Sequence, residues 1–495
     1  MKTQKATITR LQTGVPGLDA VLGGGLPEFS FNLIAGSPGT GKTTLAHQIM
    51  FALATAERPA LYFTVLGEPP LKILRYQQQF DFFDLDHLNR SIRFINLAEV
   101  IAAGDLDAVL ARIVAEVAAR GPSLVFVDSF CSVVMASENQ GKSVTSLQQF
   151  VQNLGVQMAS WQATTFLLGE YSTEQDPNPV FTVADGLIWL RQAVHRNSVV
   201  RKLEITKMRG QPTLPGLHTF RIDNSGLKIF PPAELAVLSA ANATPINNDR
   251  LSMGVPGLDD LMGGGLPRGY SLLVAGPSGS GKTILASAFL AEGVRQGETG
   301  VIAAFEQHPR LSRNPIVADL IKSGRVGLVD SRVSELSVDE IASQLIAEIR
   351  RLKATRVVID SLSGFELAIA PGFREDFRES LSCMVTALAS TGVTVVMTSE
   401  LEDRYGDLRF SPYGTAFLTD AIIVQRYIEV DSRLQRVMAV VKVRASAHSN
   451  ELRLFHIDNK GIQIAAMLAN HEGLLGGRPT RRMHTNGAVA GADDA

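Results

Sequence analysis

Two stretches of the 495-residue chain have the residue types and spacing to hold a polyphosphate. They are Gly36-Ser37-Pro38-Gly39-Thr40-Gly41-Lys42-Thr43 and Gly276-Pro277-Ser278-Gly279-Ser280-Gly281-Lys282-Thr283. Both fit G-x-x-x-x-G-K-[ST], in which glycines let backbone N–H groups turn inward around phosphate oxygens. The lysines reach the outer phosphates, and the threonine hydroxyls are ligands for Mg²⁺. Thr44 and Ile284, the next helical positions, complete each set. A second pair of chemical residues follows at a distance. Leu124-Val125-Phe126-Val127-Asp128 and Arg356-Val357-Val358-Ile359-Asp360 each read as a buried strand that carries a carboxylate to its C-terminal edge. Open α/β sheets bind ligands at that edge, so Asp128 and Asp360 are placed for the Mg²⁺ hydration shell. The cofactors read from these residues are ATP and Mg²⁺.

The elements that must position these groups can be read around them. Phe31-Asn32-Leu33-Ile34-Ala35 and Ser271-Leu272-Leu273-Val274-Ala275 predict a strand before each loop, and helix-compatible residues follow each lysine. The next strands are expected at Ala60–Thr64 and Gly300–Ala304, each followed by a mixed helical stretch before the Asp strand. Thr164–Leu168 and Val393–Met397 predict further strands, and alternating residues near 202–209 and 437–444 predict closing hairpins. The phosphate-loop lysines stand 240 positions apart, and the same offset relates Gly14-Val15-Pro16-Gly17-Leu18-Asp19 to Gly254-Val255-Pro256-Gly257-Leu258-Asp259. So long a period means two whole domains. The expected fold class is α/β: two tandem RecA-like nucleotide-binding domains, each with a mostly parallel central sheet flanked by helices. The expected boundaries are a first domain at 8–232, a linker at 233–248, a second domain at 249–467 and a disordered tail at 468–495.

Composition bounds the partners. A net charge of −2 argues against a dominant nucleic-acid surface. No apolar run approaches the ~20 residues of a membrane span, and the N-terminus leads into no signal-peptide core. Cys131 and Cys383 offer no disulfide framework, which fits a cytoplasmic location.

The duplicated G-V-P-G-L-D, G-G-G-L-P, phosphate-loop and Asp-Ser segments, with a Lys-x-Arg strand near each domain end, resemble the circadian-clock ATPase KaiC and its bacterial homologues, within the RecA-type ATPases. The resemblance spans roughly residues 8–465. It implies a homohexameric double ring with ATP between subunits, ATPase activity, and in some members autophosphorylation on Ser or Thr of the second domain. It implies a catalytic glutamate pair after the strand that follows the loop helix. Glu306 matches the first of the pair and Gln307 replaces the second, while the constant offset puts Leu66 and Gly67 opposite them and Glu68 one residue beyond. The family's Lys-x-Arg, which reaches the γ-phosphate of the neighbouring subunit, matches Lys207 and Arg209, and Lys442 and Arg444. At the family's adjacent phosphosites the chain has Ala416 and Phe417, with Ser411, Thr415 and Thr419 as nearby alternatives.

Three functions are compatible with these residues. The first is a KaiC-like ATPase, with possible serine/threonine autokinase activity, in a signalling ring that acts on an unidentified protein partner. The second is a RecA-type DNA-handling ATPase, which needs basic or aromatic loops toward the ring centre. Its first-domain candidate, residues 172–179, is acidic; its second, 402–410, mixes arginines and aromatics with acids. The third is an ATP-locked scaffold with little turnover, favoured by Leu66.

Overall fold

The computed structural model describes residues 8–64, 75–88, 90–102, 106–130, 144–171, 178–195, 198–232, 249–305, 315–330, 337–369, 377–401, 418–430, 432–467, 471–472 and 480–481. The chain divides into two compact units, 1–231 and 232–495.

The first unit opens with a two-residue ladder, β1 (Arg10–Leu11) against β2 (Leu26–Pro27). Between them lies the repeated G-V-P-G-L-D segment, whose role is architectural. Leu18, in the short helix α1 (Leu18–Val21), is fully buried, and Asp19 Oδ1 accepts from the Thr13 N–H. Pro16 O accepts from the N–H of Ile229, which ties the start of the unit to its last strand.

The phosphate loop runs from β3 (Phe31–Gly36) into the helix α2 (Lys42–Leu53). The remaining strands are β4 (Ala60–Thr64), β5 (Ile92–Asn96), β6 (Leu124–Asp128), β7 (Thr164–Glu170), β8 (Gly186–His195), β9 (Ser198–Met208), β10 (His218–Asp223) and β11 (Gly226–Phe230). They form one nine-stranded sheet in the order β11-β10-β9-β8-β3-β7-β6-β4-β5. The strands from β5 to β8 in that order are parallel, and β9, β10 and β11 add antiparallel hairpins. Side chains alternate across the sheet with period two. Leu33, Val125 and Leu167 face the helices Leu106–Arg120 and Val144–Ser160; Ile34, Phe126 and Phe166 face α2.

The second unit repeats this plan. It has β12 (Arg250–Leu251), β13 (Leu266–Pro267), β14 (Ser271–Gly276), β15 (Gly300–Ala304), β16 (Val326–Asp330), β17 (Arg356–Asp360), β18 (Thr394–Glu400), β19 (Ala421–Val430), β20 (Arg433–Val443), β21 (Arg453–Asp458) and β22 (Gly461–Met467). The sheet order, β16-β15-β17-β18-β14-β19-β20-β21-β22, is that of the first unit strand for strand.

The expectation of helix alone between the second strand and the Asp strand is corrected. An edge strand, β5 or β16, lies inside that stretch and pairs in parallel with β4 or β15. Ile92-Arg93-Phe94-Ile95-Asn96 mixes polar and apolar residues, as a strand with one open edge permits. The expected linker, 233–248, lies outside the described residues. Within the expected tail, His471–Glu472 pairs with Thr480–Arg481. Among the described residues, no helix is long and apolar enough to cross a membrane.

Candidate nucleotide sites

Each phosphate loop leaves the C-terminal edge of its sheet and ends on a glycine that caps the following helix. Gly41 and Gly281 hold φ values of 104° and 107°. A Cβ at Gly41 would lie 2.6 Å from Ile222 Cδ1, and one at Gly281 would lie 2.8 Å from Ile457 Cδ1. Both positions therefore need glycine for backbone conformation and for space. The Lys42 ammonium donates to the carbonyls of Gly36 and Ser37 at 2.8 and 3.0 Å. Lys282 donates to Gly276 and Pro277, both at 2.8 Å. Thr40 Oγ1 closes the first loop onto Ser37 O at 2.8 Å, whereas Ser280 Oγ in the second reaches across to Gln425 Oε1 at 3.1 Å. Backbone donors, a lysine and a helix N-terminus around a glycine-built concavity fit a polyphosphate.

The sheet brings the carboxylate to the loop. Thr43 Oγ1 donates to Asp128 Oδ2 at 3.0 Å, so a hydroxyl and a carboxylate, both hard oxygen ligands, converge at one point in the first unit. Tyr62 Oη donates to the same oxygen at 2.6 Å. Burial pushes the Asp128 carboxyl up from its ordinary value, against hydrogen bonds from Tyr62 and Thr43 and the charge of Lys42. Burial also raises the Tyr62 phenol, with the negative charge of Asp128 adding to it. In the second unit Thr398 Oγ1 donates to Asp360 Oδ1. The Asp128–Ser129 and Asp360–Ser361 peptide bonds are both cis.

Below the first site an aromatic row crosses four strands. Phe94, Tyr62, Phe126 and Phe166 stand side by side on β5, β4, β6 and β7. Their ring centroids follow at 5.1, 5.9 and 4.7 Å. His47 of α2 packs on Tyr62 at 4.6 Å. Register gives the second unit an aliphatic row instead: Leu328, Ile302, Val358 and Val396.

The Lys-x-Arg pairs sit elsewhere. Lys207 Nζ donates to the carbonyls of Phe181 and Thr182 at 3.2 and 2.9 Å. Arg209 Nη1 meets Asp185 Oδ1 at 2.9 Å, and Asp185 Oδ2 accepts from the N–H of Phe31, the first residue of β3. Lys442 donates to Thr419 O at 2.6 Å, and Arg444 meets Asp420, which accepts from the N–H of Ser271 at the start of β14. The anchors thus lie at the N-terminal end of the strand whose C-terminal end carries the phosphate loop. Five residue steps at ~3.3 Å per residue separate the two ends by about 16 Å. No lysine or arginine side chain held by these anchors spans that distance to its own loop. Burial lowers Lys207 and Lys442 from the ordinary lysine value, the neighbouring arginine adds to this, and the aspartate opposes it.

Glu306, Glu68 and the positions Leu66, Gln307, Ser411, Thr415, Ala416 and Phe417 lie outside the described residues. Thr419 is described, and it is fully buried. That is a poor setting for a phosphoacceptor, whose hydroxyl must be open to the incoming phosphorus. Residues not singled out from sequence are Tyr62, Thr398, Asp185, Asp420 and Gln425. An Asp directly preceding each of the strands β8 and β19 was the available signal for two of them.

A family model for the KaiC ATPase matches the chain twice, at residues 11–234 and 251–469. The chain is 28% identical to a circadian clock oscillator protein KaiC from Rippkaea orientalis, over 97% of this chain and 94% of the relative. It is also 28% identical to one from a Picosynechococcus species, over 96% and 93%. A circadian clock oscillator protein KaiC 1 from a Synechocystis species is again 28% identical, over 96% of this chain and 92% of the relative.

Proposed function

Because the chain belongs to the KaiC ATPase family, we propose that it binds Mg²⁺-ATP at both phosphate loops and hydrolyses it within a homohexameric ring, each site being completed by a neighbouring subunit. The observation that carries this reading is the separation of each Lys-x-Arg pair from its own loop. Cations held at the opposite edge of the sheet are out of reach of their own loop, which supports their serving another copy's nucleotide. Bound Mg²⁺ would neutralise developing charge on the phosphates. The loop amides and Lys42 or Lys282 hold the β- and γ-phosphates. Thr43 with Asp128, and Thr283 with Asp360, are the residues that would hold the metal. Glu306 is assigned to orient the nucleophile in the second site. Arg209 and Arg444 from a neighbour stabilise transferred charge, an effect worth ~10³–10⁵ in related systems.

The relatives' names attach them to circadian timekeeping. For this chain the reading is ATP-driven regulation of an unidentified protein partner in the cytoplasm. Ordered double phosphorylation is not part of it, because Ala416 and Phe417 lack hydroxyls. Phosphorylation of Ser411 or Thr415 is retained within the proposal. The DNA-handling alternative is disfavoured by the acidic candidate loop at 172–179 and the net charge of −2.

The test mixes an Arg444→Ala subunit with a Glu306→Gln subunit under conditions of confirmed exchange. Hybrid interfaces that pair an intact Glu306 with an intact Arg444 should restore turnover above that of either parent. A mixture no more active than its parents counts against completion by a neighbour.

A further inference from the structure

In each unit the carboxylate facing the phosphate loop receives a hydroxyl from a flanking strand, and the two hydroxyls come from opposite flanks. Tyr62 reaches Asp128 from β4, and Thr398 reaches Asp360 from β18. Strand register equates the positions. Tyr62 stands beside Phe126 of the Asp strand, and Ile302 stands beside Val358 at the corresponding place. Asp128 stands beside Leu168. Ile359 stands beside Met397, so Asp360 comes next to Thr398. In register Asp128 is flanked by Thr64 of β4 and Leu168 of β7, and Asp360 by Ala304 of β15 and Thr398 of β18, while Tyr62 and Ile302 stand two residues earlier on the same face of β4 and β15. The hydroxyl that reaches the carboxylate is Tyr62 in the first unit, where the second has Ile302, and Thr398 in the second, where the first has Leu168.

The surroundings are built to match. Tyr62 is fully buried, and a buried hydroxyl without a partner costs about 1–3 kcal/mol. Its ring is fixed by His47, Phe94 and Phe126, so the phenol can point in few directions other than Asp128. In the second unit Ser287 stands in the place of His47. Its hydroxyl folds back onto Thr283 O at 2.7 Å on its own helix, and no aromatic fills the Ile302 position. There the short Thr398 side chain, one strand over, makes the contact. An O–H donor on a carboxylate at a strand end fixes the plane of that carboxylate, which otherwise turns freely about its last torsion.

We propose that Tyr62 and Thr398 are equivalent positioning residues. Each orients its unit's carboxylate toward the loop threonine, so that Mg²⁺-nucleotide is held tightly, and the two units differ in which strand supplies the hydroxyl. The proposal rests on the reading of both loops as Mg²⁺-nucleotide sites.

The test uses the full-length chain carrying Lys282→Ala, which silences the second loop. Fluorescent ADP binding is followed against Mg²⁺ concentration and, separately, in chelator. Tyr62→Phe should raise the Mg²⁺ midpoint about tenfold, the value of one hydrogen bond to a charged group. Affinity in chelator should stay as in the parent. Adding Leu168→Thr, which installs the other unit's solution, should bring the midpoint back to within about threefold of the parent. Thr398→Val in a Lys42→Ala background should move the second site's Mg²⁺ midpoint in the same way, and it stands independently if Tyr62→Phe fails to fold. The proposal is overturned if binding survives with the midpoint unmoved in both variants. It is also overturned if affinity falls equally with and without Mg²⁺ and Leu168→Thr restores nothing. A parent showing no Mg²⁺-dependent binding at all overturns the underlying reading of the loop instead, and is recognisable as such.

Discussion

His47 shows what burial does to a single titratable group in this fold. It is fully buried on α2, one turn after Thr43, between the rings of Tyr62 and Phe94. Burial lowers it from 6.5 to about 4. A base whose folded-state value is depressed stabilises the fold above its unfolded value. Between 6.5 and 4 the unfolded chain takes up the proton first, so stability falls as pH falls through that window. The loss levels off below about 4, and amounts to roughly 3 kcal/mol at 1.36 kcal/mol per unit. His47→Leu should flatten this slope for the first unit, as read by chemical denaturation between pH 7 and 4.5. An acid slope as steep as the parent's would show that other groups set it. The residue scale also marks the limit of sequence reading. Lys42 and Thr43 were legible because eight consecutive residues specify the loop. Tyr62 and Thr398 were not, because they meet their carboxylates 66 and 38 positions away through strand register, which no local pattern records.

At the scale of elements, the hairpins β8–β9 and β19–β20 deliver the Lys-x-Arg pairs, and one aspartate aligns each hairpin with the phosphate-loop strand. Asp420 accepts from the Ser271 N–H with one oxygen and meets Arg444 with the other. Asp420→Asn keeps an acceptor for the backbone but removes the charge that holds Arg444. Turnover should fall about tenfold, with nucleotide stoichiometry unchanged. The same substitution removes the influence that opposes the lowering of Lys442, so the alkaline limb of the turnover profile should shift toward lower pH. Unchanged turnover across pH would mean that Arg444 is positioned without Asp420. The strands that carry the site were legible because they are continuous apolar runs buried on both faces, as in Leu124–Val127. The edge strand β5 was missed for the converse reason. In β5, Arg93 and Asn96 are exposed, so the run is broken by polar residues. Of the antiparallel closing strands, β9 was recovered because Leu203 and Ile205 alternate with Lys202, Glu204 and Thr206, and β20 because Val437–Val441 is an apolar run.

For the whole molecule, the question is why two units of identical sheet order carry different sites. Loops, threonines, aspartates and Lys-x-Arg pairs are all duplicated, yet the glutamate position reads Leu66 in one copy and Glu306 in the other. The core beneath the first loop is a stacked aromatic row, and beneath the second it is aliphatic. A nucleotide stabilises whatever assembly binds it through RT ln(1 + [L]/Kd), with no hydrolysis required. A first site without a carboxylate to orient the nucleophile keeps that role, so the second should carry most of the chemistry. Removing a group that orients or deprotonates the nucleophile costs ~10²–10⁴ in rate. Glu306→Gln should therefore abolish most turnover while leaving nucleotide content and oligomer size intact. Lys42→Ala should do the reverse, shifting the assembly toward smaller species in light scattering and leaving each correctly formed second site active. Glu68→Gln, one residue past the offset position, should cost less than about a third of turnover, since catalysis by a group that orients the nucleophile depends on its position. If Glu68→Gln removes the larger share of hydrolysis, the first loop holds the working base and the roles of the two units are exchanged.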